Sequence, residues 1–158
     1  MDTIVKGKAV EVVIGYDRPT VLIGERINPS GKKKLAQALR DGDLDQVRKE
    51  AVNQVAAGAD ILDVNVVTSG VDEVAMLPRA VAAILEVVDA PLCLDVNDPA
   101  ALPAALKLIP GKAIINSVTG EEKSLNTVLP LVKEYGAAVI GLTMGDLPNG
   151  PDKIATYA

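Results

Sequence analysis

Residues 59–66 read ADILDVNV and residues 91–97 read PLCLDVN. Each is a nearly unbroken apolar run that closes on the same tripeptide, Asp63-Val64-Asn65 in one and Asp95-Val96-Asn97 in the other. A strand covered on both faces takes Ile, Leu and Val throughout. An ionised carboxylate withdrawn from water, by contrast, costs several kcal/mol unless it finds a partner. The spacing from Asp63 to Asp95 suits one βα unit of about 30 residues. Three more runs of the same kind flank the pair: TVLIGERI (20–27), AIINSVT (113–119) and AAVIGLTM (137–144).

The segments between the runs have helical spacing. KKLAQALRDG is followed by LDQVRKEAVNQVAAG, in which Leu44, Val47, Ala51, Val52 and Val55 form an expected apolar stripe and Gly58 a stop. In DEVAMLPRAVAAILEVV, Pro78 predicts a kink or a fresh start. Asp98-Pro99 reads as an N-cap followed by proline at the first helical position, and Thr119-Gly120-Glu121-Glu122 as a capping box opening a helix through LNTVLPLVKEYG. Ser30 is a further expected cap, and PDKIATYA starts another helix. Strands alternating with helices predict a parallel sheet with right-handed crossovers. Ahead of it, residues 4–19 predict a β-hairpin around a Tyr16-Asp17-Arg18-Pro19 turn, and residues 1–158 read as a single domain.

Two parallel α/β folds compete. A doubly wound sheet carries phosphate-binding glycines after its first strand, and IGERINPSGKK lacks that pattern. A TIM barrel instead gathers polar residues at the C-terminal ends of its strands. Here Glu25 and Asn28, Asp63 and Asn65, Asp95 and Asn97, Asn116 and Ser117, and Thr143 and Asp146 follow five successive runs. The expectation is a TIM-barrel sheet over residues 20–158, truncated after about five strands, with free edges and an uncovered inner face.

Composition removes whole classes of chemistry. The chain has no histidine, so Ser-His-Asp and Cys-His catalysis and His-ligated metals are excluded within it. Cys93 alone can build neither an internal disulfide nor a structural zinc site, and it reads as a small buried hydrophobe. A net charge of −5, with no Phe and no Trp, disfavours nucleic acid as a partner. Lys32-Lys33-Lys34 reads as a solvated first helical turn, and Asp63, Asp95 and Asp146 are not taken as metal ligands. The N-terminal residues have no signal-peptide pattern or membrane span, which with the cysteine usage predicts a cytoplasmic protein with no membrane contact. What remains is a pocket of carboxylates and carboxamides, suited to a heterocycle with amide-like edges; pterins and guanines both qualify.

The segments LIGERINPSGKKKL, ADILDVN, LCLDVN, AIINSVTGEEK and VIGLTMGDLPNGP, in that order, resemble the methyltetrahydrofolate:corrinoid-protein methyltransferases and the folate domain of cobalamin-dependent methionine synthase. These belong to the pterin-binding barrel superfamily that also holds dihydropteroate synthase. The first and second loops, ERINPSG and NVVTSGVDE, are less similar to the synthase branch. The resemblance implies transfer of the N5 methyl group of methyltetrahydrofolate to the cobalt of a corrinoid (cobalamin) carried by a partner protein, in a cytoplasmic homodimer. It implies that Asp95 and Asn116 bind the pterin, with Glu25, Asn28, Asp63, Asn65 and Asn97 lining the same pocket. The family's catalytic Asn, on a seventh strand, and its second pterin Asp, on a sixth, have no counterpart in the sequence. A dihydropteroate synthase-like enzyme and a non-catalytic half-barrel assembly module are the alternatives.

Overall fold

The computed structural model describes residues 2–142. Thr143, Asp146 and the expected helix in PDKIATYA lie outside the described residues. Strands β1 (Thr3–Lys6) and β2 (Glu11–Ile14) pair antiparallel. Then come β3 (Ile23–Ile27), α1 (Lys33–Asp41), α2 (Asp45–Ala56), β4 (Ile61–Val64), α3 (Glu73–Leu85) and β5 (Leu92–Asp95). A 3-10 turn (Pro99–Ala101) leads into α4 (Leu102–Leu106), followed by β6 (Ile114–Thr119), α5 (Glu122–Tyr135) and β7 (Ala138–Leu142).

Strands β3 to β7 form one parallel sheet in sequence order, every neighbour the next strand of the chain. The winding never reverses, as it must in a doubly wound sheet. Period-two alternation sorts the side chains. Leu62, Val64, Leu92, Leu94 and Ile115 join Leu39, Val47, Leu77, Ile84, Leu102 and Val128 of the helices in one buried cluster. Ile61, Cys93 and Ile114 point the other way, against Val5, Val12 and Ile14 of the hairpin. Helices cover one face only, so the sheet is the wall of a TIM barrel, open among the described residues with free edges at β3 and β7.

Local chemistry departs from the sequence expectation at several points. The hairpin reverses at residues 7–10, where Gly7 N–H donates to the Val10 carbonyl at 2.8 Å, and Tyr16 to Pro19 lie beyond both of its strands. The cause is distant: the Asp89 carboxylate accepts from the backbone N–H groups of Lys8, Ala9 and Val10. Ser30 caps nothing, since α1 starts at Lys33 and the Ser30 N–H donates to Asn28 Oδ1. Thr119 does not form a capping box with the helix; its Oγ1 accepts from the Glu121 N–H while its own N–H donates to Ser124 Oγ. Helix α3 runs through Pro78, which sits in its second turn and removes a single ladder hydrogen bond. On α2 the buried stripe is Val47, Ala51 and Gln54, whereas Val52 and Val55 face solvent. Gln54 turns inward because the β3–β4 register shifts between Gly24 and Ile27, and its Oε1 accepts the Arg26 N–H at 2.7 Å.

Asp98 caps its turn as expected, accepting from the Ala100 N–H. Asp72 caps α3, accepting from Val74 and Ala75 at 3.0 and 3.3 Å. Asp72→Ala is expected to lower unfolding free energy by about 1 kcal/mol, read from urea titration followed by circular dichroism.

Candidate functional site

The inner face of the sheet has two levels. The lower is the apolar floor of Ile61, Cys93 and Ile114, closed from beneath by the hairpin. One strand repeat higher, the same face presents Asp63 on β4, Asp95 on β5 and Asn116 on β6. Register fixes this arrangement: Asp95 is paired with Asn116, while Asp63 is level with Cys93. The polar groups therefore sit at the C-terminal end of the strands, where barrel pockets form.

Three carboxylates meet three carboxamides there. Asn65 Nδ2 donates to Asp95 Oδ2 at 2.8 Å, and Asn116 Nδ2 donates to Asp63 Oδ1 at 3.2 Å. The two bonds interlace, because β5 lies between β4 and β6. Asn28 Nδ2 donates to Glu25 Oε1 on the first parallel strand. Asn65 is oriented by its other end, its Oδ1 accepting from the Val67 N–H at 2.8 Å. The pairing in β6 shifts between Asn116 and Val118, and the Asn116–Ser117 peptide is cis.

Asp63 is the most enclosed member. It is 4% exposed, and its Oδ2 is buried with no hydrogen-bond partner among the described residues. Burial pushes its carboxyl above the usual carboxylate range; the Asn116 amide and the Cys93 thiol oppose this, while Asp95 and Glu25 add to it. Burial likewise drives the Cys93 thiol upward, with the Asp63 carboxylate beside it acting in the same direction. Cys93 thus lacks the thiolate character of a nucleophile and packs as the small hydrophobe expected.

The structure brings Asp63, Asn65, Asp95 and Asn116 together as two side-chain hydrogen-bonded pairs, with Glu25 near enough to act on Asp63. Asn28 joins them only through Glu25. Asn97 does not join. It is exposed and borders an open groove of about 700 Å³ with Asp98, Pro103, Glu121 and Thr127. The reason is Glu73 at the start of α3, whose two carboxylate oxygens accept the N–H groups of Asn97 and Asp98, each at 3.0 Å, and turn the chain out of the strand. Glu73 carried no sequence signal beyond its place in the first turn of a helix. Among the described residues no three carboxylate, thiol or imidazole groups converge as a metal site.

Residues 24–158 match the family described as pterin binding enzyme. Methionine synthase of Mycobacterium tuberculosis (strain ATCC 25618 / H37Rv) is 33% identical over 140 residues, covering 85% of this chain and 12% of that protein. Methionine synthase of Mycobacterium leprae (strain TN) is 33% identical over 135 residues, covering 82% of this chain and 11% of its own length. The chain thus spans about an eighth of the length of these relatives.

Proposed function

The chain belongs to the pterin-binding enzyme family, and from that membership we propose that the rim on β4, β5 and β6 receives the pteridine head of methyltetrahydrofolate, whose N5 methyl group passes to the cobalt of a corrinoid on a partner protein. The observation that carries this reading is the interlaced pair of hydrogen bonds, Asn65 to Asp95 and Asn116 to Asp63, standing above an apolar floor on the open face of the sheet. The two methionine synthase relatives support it.

The residues act by binding and orientation. Asp95 spends one oxygen on Asn65, so its other oxygen is available to accept an N–H of the amino-amidine edge of the ring. Asn116, tied through Nδ2 to Asp63, keeps its Oδ1 to accept a second N–H of the ring. Glu25, held by Asn28, adds negative potential at the side of the pocket, where an electron-poor, protonated ring gains most. The floor of Ile61, Cys93 and Ile114 keeps water from beneath the ring. Asn97 acts only through the loop that Glu73 holds. The corrinoid cobalt supplies the nucleophile that accepts the methyl group. We assign this chemistry to a homodimer in the cytoplasm; no helix among the described residues is long and apolar enough to cross a membrane.

Asp95→Ala and Asn116→Ala are each expected to weaken methyltetrahydrofolate binding about tenfold to a hundredfold, as loss of a hydrogen bond to a charged or buried partner implies. Isothermal titration calorimetry reads the change, with circular dichroism confirming the fold. Unaltered affinity in both variants would remove the assignment.

A further inference from the structure

We propose that the N-terminal hairpin is a movable plug beneath the pocket: latched at its tip by Asp89, it swings off the floor as one piece, and a pterin on the rim holds it shut. The coupling to ligand rests on the pterin reading above; the movement does not. The hairpin forms a sheet of its own, separate from the five parallel strands. A two-stranded hairpin is marginally stable by itself, so its place depends on how it docks. That docking is slight. Of the residues in β1 and β2 only Val5 is buried, whereas every residue of β4 is. Its backbone bonds to the backbone of the remaining described chain at one place, where Lys6 and Lys112 exchange hydrogen bonds. Residues 16–20, which lead from the hairpin toward β3, are all exposed and belong to no strand or helix. Such a connector lets the hairpin leave without disturbing the sheet, as a unit that opens below the cost of global unfolding.

The latch comes from outside the hairpin. Asp89, in the loop between α3 and β5, accepts the N–H groups of Lys8, Ala9 and Val10, the last two at 2.7 and 3.1 Å. One carboxylate thus gathers three successive donors of the turn in charge-assisted bonds. Behind the latch, Val5, Val12 and Ile14 cover Ile61, Cys93 and Ile114. With the plug away, water reaches the underside of the strands that carry Asp63 and Asp95, and a ring seated above loses its dry floor. A ligand that binds better over a closed plug must, by reciprocity, favour closure. Cys93 is fully buried under the plug and is the one cysteine of the chain, so its thiol reports the plug's position.

The test follows alkylation of Cys93 by iodoacetamide in the full chain as urea is raised toward the unfolding transition. A plug that opens on its own exposes little surface, so labelling well below the transition should proceed at a rate nearly independent of urea. Asp89→Ala should raise that rate about tenfold or more, and Asp89→Asn, which retains one acceptor oxygen, should raise it less. Methyltetrahydrofolate at about a hundred times its Kd should slow labelling about a hundredfold. Labelling of the parent that accelerates with urea as steeply as global unfolding overturns the plug, because Cys93 would then be reached only in the unfolded chain. An Asp89→Ala rate equal to that of the parent overturns the latch. A rate unchanged by methyltetrahydrofolate that calorimetry shows to be bound overturns the coupling. Absence of binding in calorimetry would instead sink the pterin reading, while the urea dependence and the Asp89 variants still decide the movement, so the two failures are told apart.

Discussion

Gly111→Ala is expected to destabilise the protein by about 3 kcal/mol or more, with the loss visible as a lower midpoint in urea unfolding followed by circular dichroism. The backbones of Lys6 and Lys112 exchange hydrogen bonds at 2.9 and 2.8 Å, which brings the hairpin strand against the segment before β6. A Cβ on residue 111 would overlap the carbonyl oxygens of Lys6 and Gly7 and stand 2.6 Å from the Lys6 carbonyl carbon. These atoms belong to backbone. Lys6 is held by its pairing with Glu11 on β2 as well as by Lys112, so the overlap cannot be relieved by swinging a side chain. Gly7 is constrained in the same way against the Asp89 carbonyl.

The consequence reaches the site. Displacing the hairpin lifts Val5, Val12 and Ile14 from Ile61, Cys93 and Ile114, which opens the floor to water. Gly111→Ala should therefore also weaken ligand binding, although residue 111 lies at the opposite end of the strands from the rim. A midpoint equal to that of the parent would show that the hairpin docks more loosely than the contacts at Lys6 and Lys112 require.

The repeated Asp-Val-Asn motif shows what a sequence discloses and what it withholds. Asp63, Asp95 and Asn116 were legible as a group because period-two alternation follows from the backbone alone, and each ends an apolar run whose other parity is buried by helices. The two asparagines of the motif then part. Asn65 N–H continues the ladder by donating to the Ile27 carbonyl at 2.9 Å, so its side chain stays in reach of Asp95. Asn97 N–H is taken by Glu73, and its side chain leaves the group. Identical tripeptides thus diverge because of a carboxylate 24 residues away in the chain. The hairpin turn was misplaced for a like reason, since Asp89 supplies the acceptors that its tip needs from 80 residues away. Gln54 replaced Val55 in the buried stripe of α2 because a register shift on an edge strand left an N–H in want of an acceptor. Apolar pattern is a local property, and side-chain capture of backbone groups across the fold is not.

Asp63→Asn is expected to make the protein more stable than its parent at neutral pH, by a margin that vanishes in acid. The sign follows from proton binding. Burial holds the folded carboxyl above its ordinary value of 3.8, so between that value and the folded one the native chain retains a proton that the unfolded chain releases. Unfolding then releases a proton, and stability falls as pH rises. The favourable contribution of the neutral acid is complete below the ordinary value and is lost as pH climbs through the folded one. Carboxylates that form ion pairs follow the opposite course, which is why the parent alone cannot reveal the effect. The difference between parent and variant isolates it, because Asp2, Asp45, Glu50 and Glu86 are common to both. Asparagine keeps an oxygen for the Asn116 amide and carries no charge at any pH, so it preserves the bond at Oδ1 while abolishing the titration. Thermal or urea unfolding in steps from pH 4 to pH 8 should show the two proteins alike at the acid end and diverging upward, with the variant ahead. A gap that stays constant, or that opens in favour of the parent at neutral pH, would mean that Asp63 is ionised in the folded protein and finds its compensation among the groups of the rim.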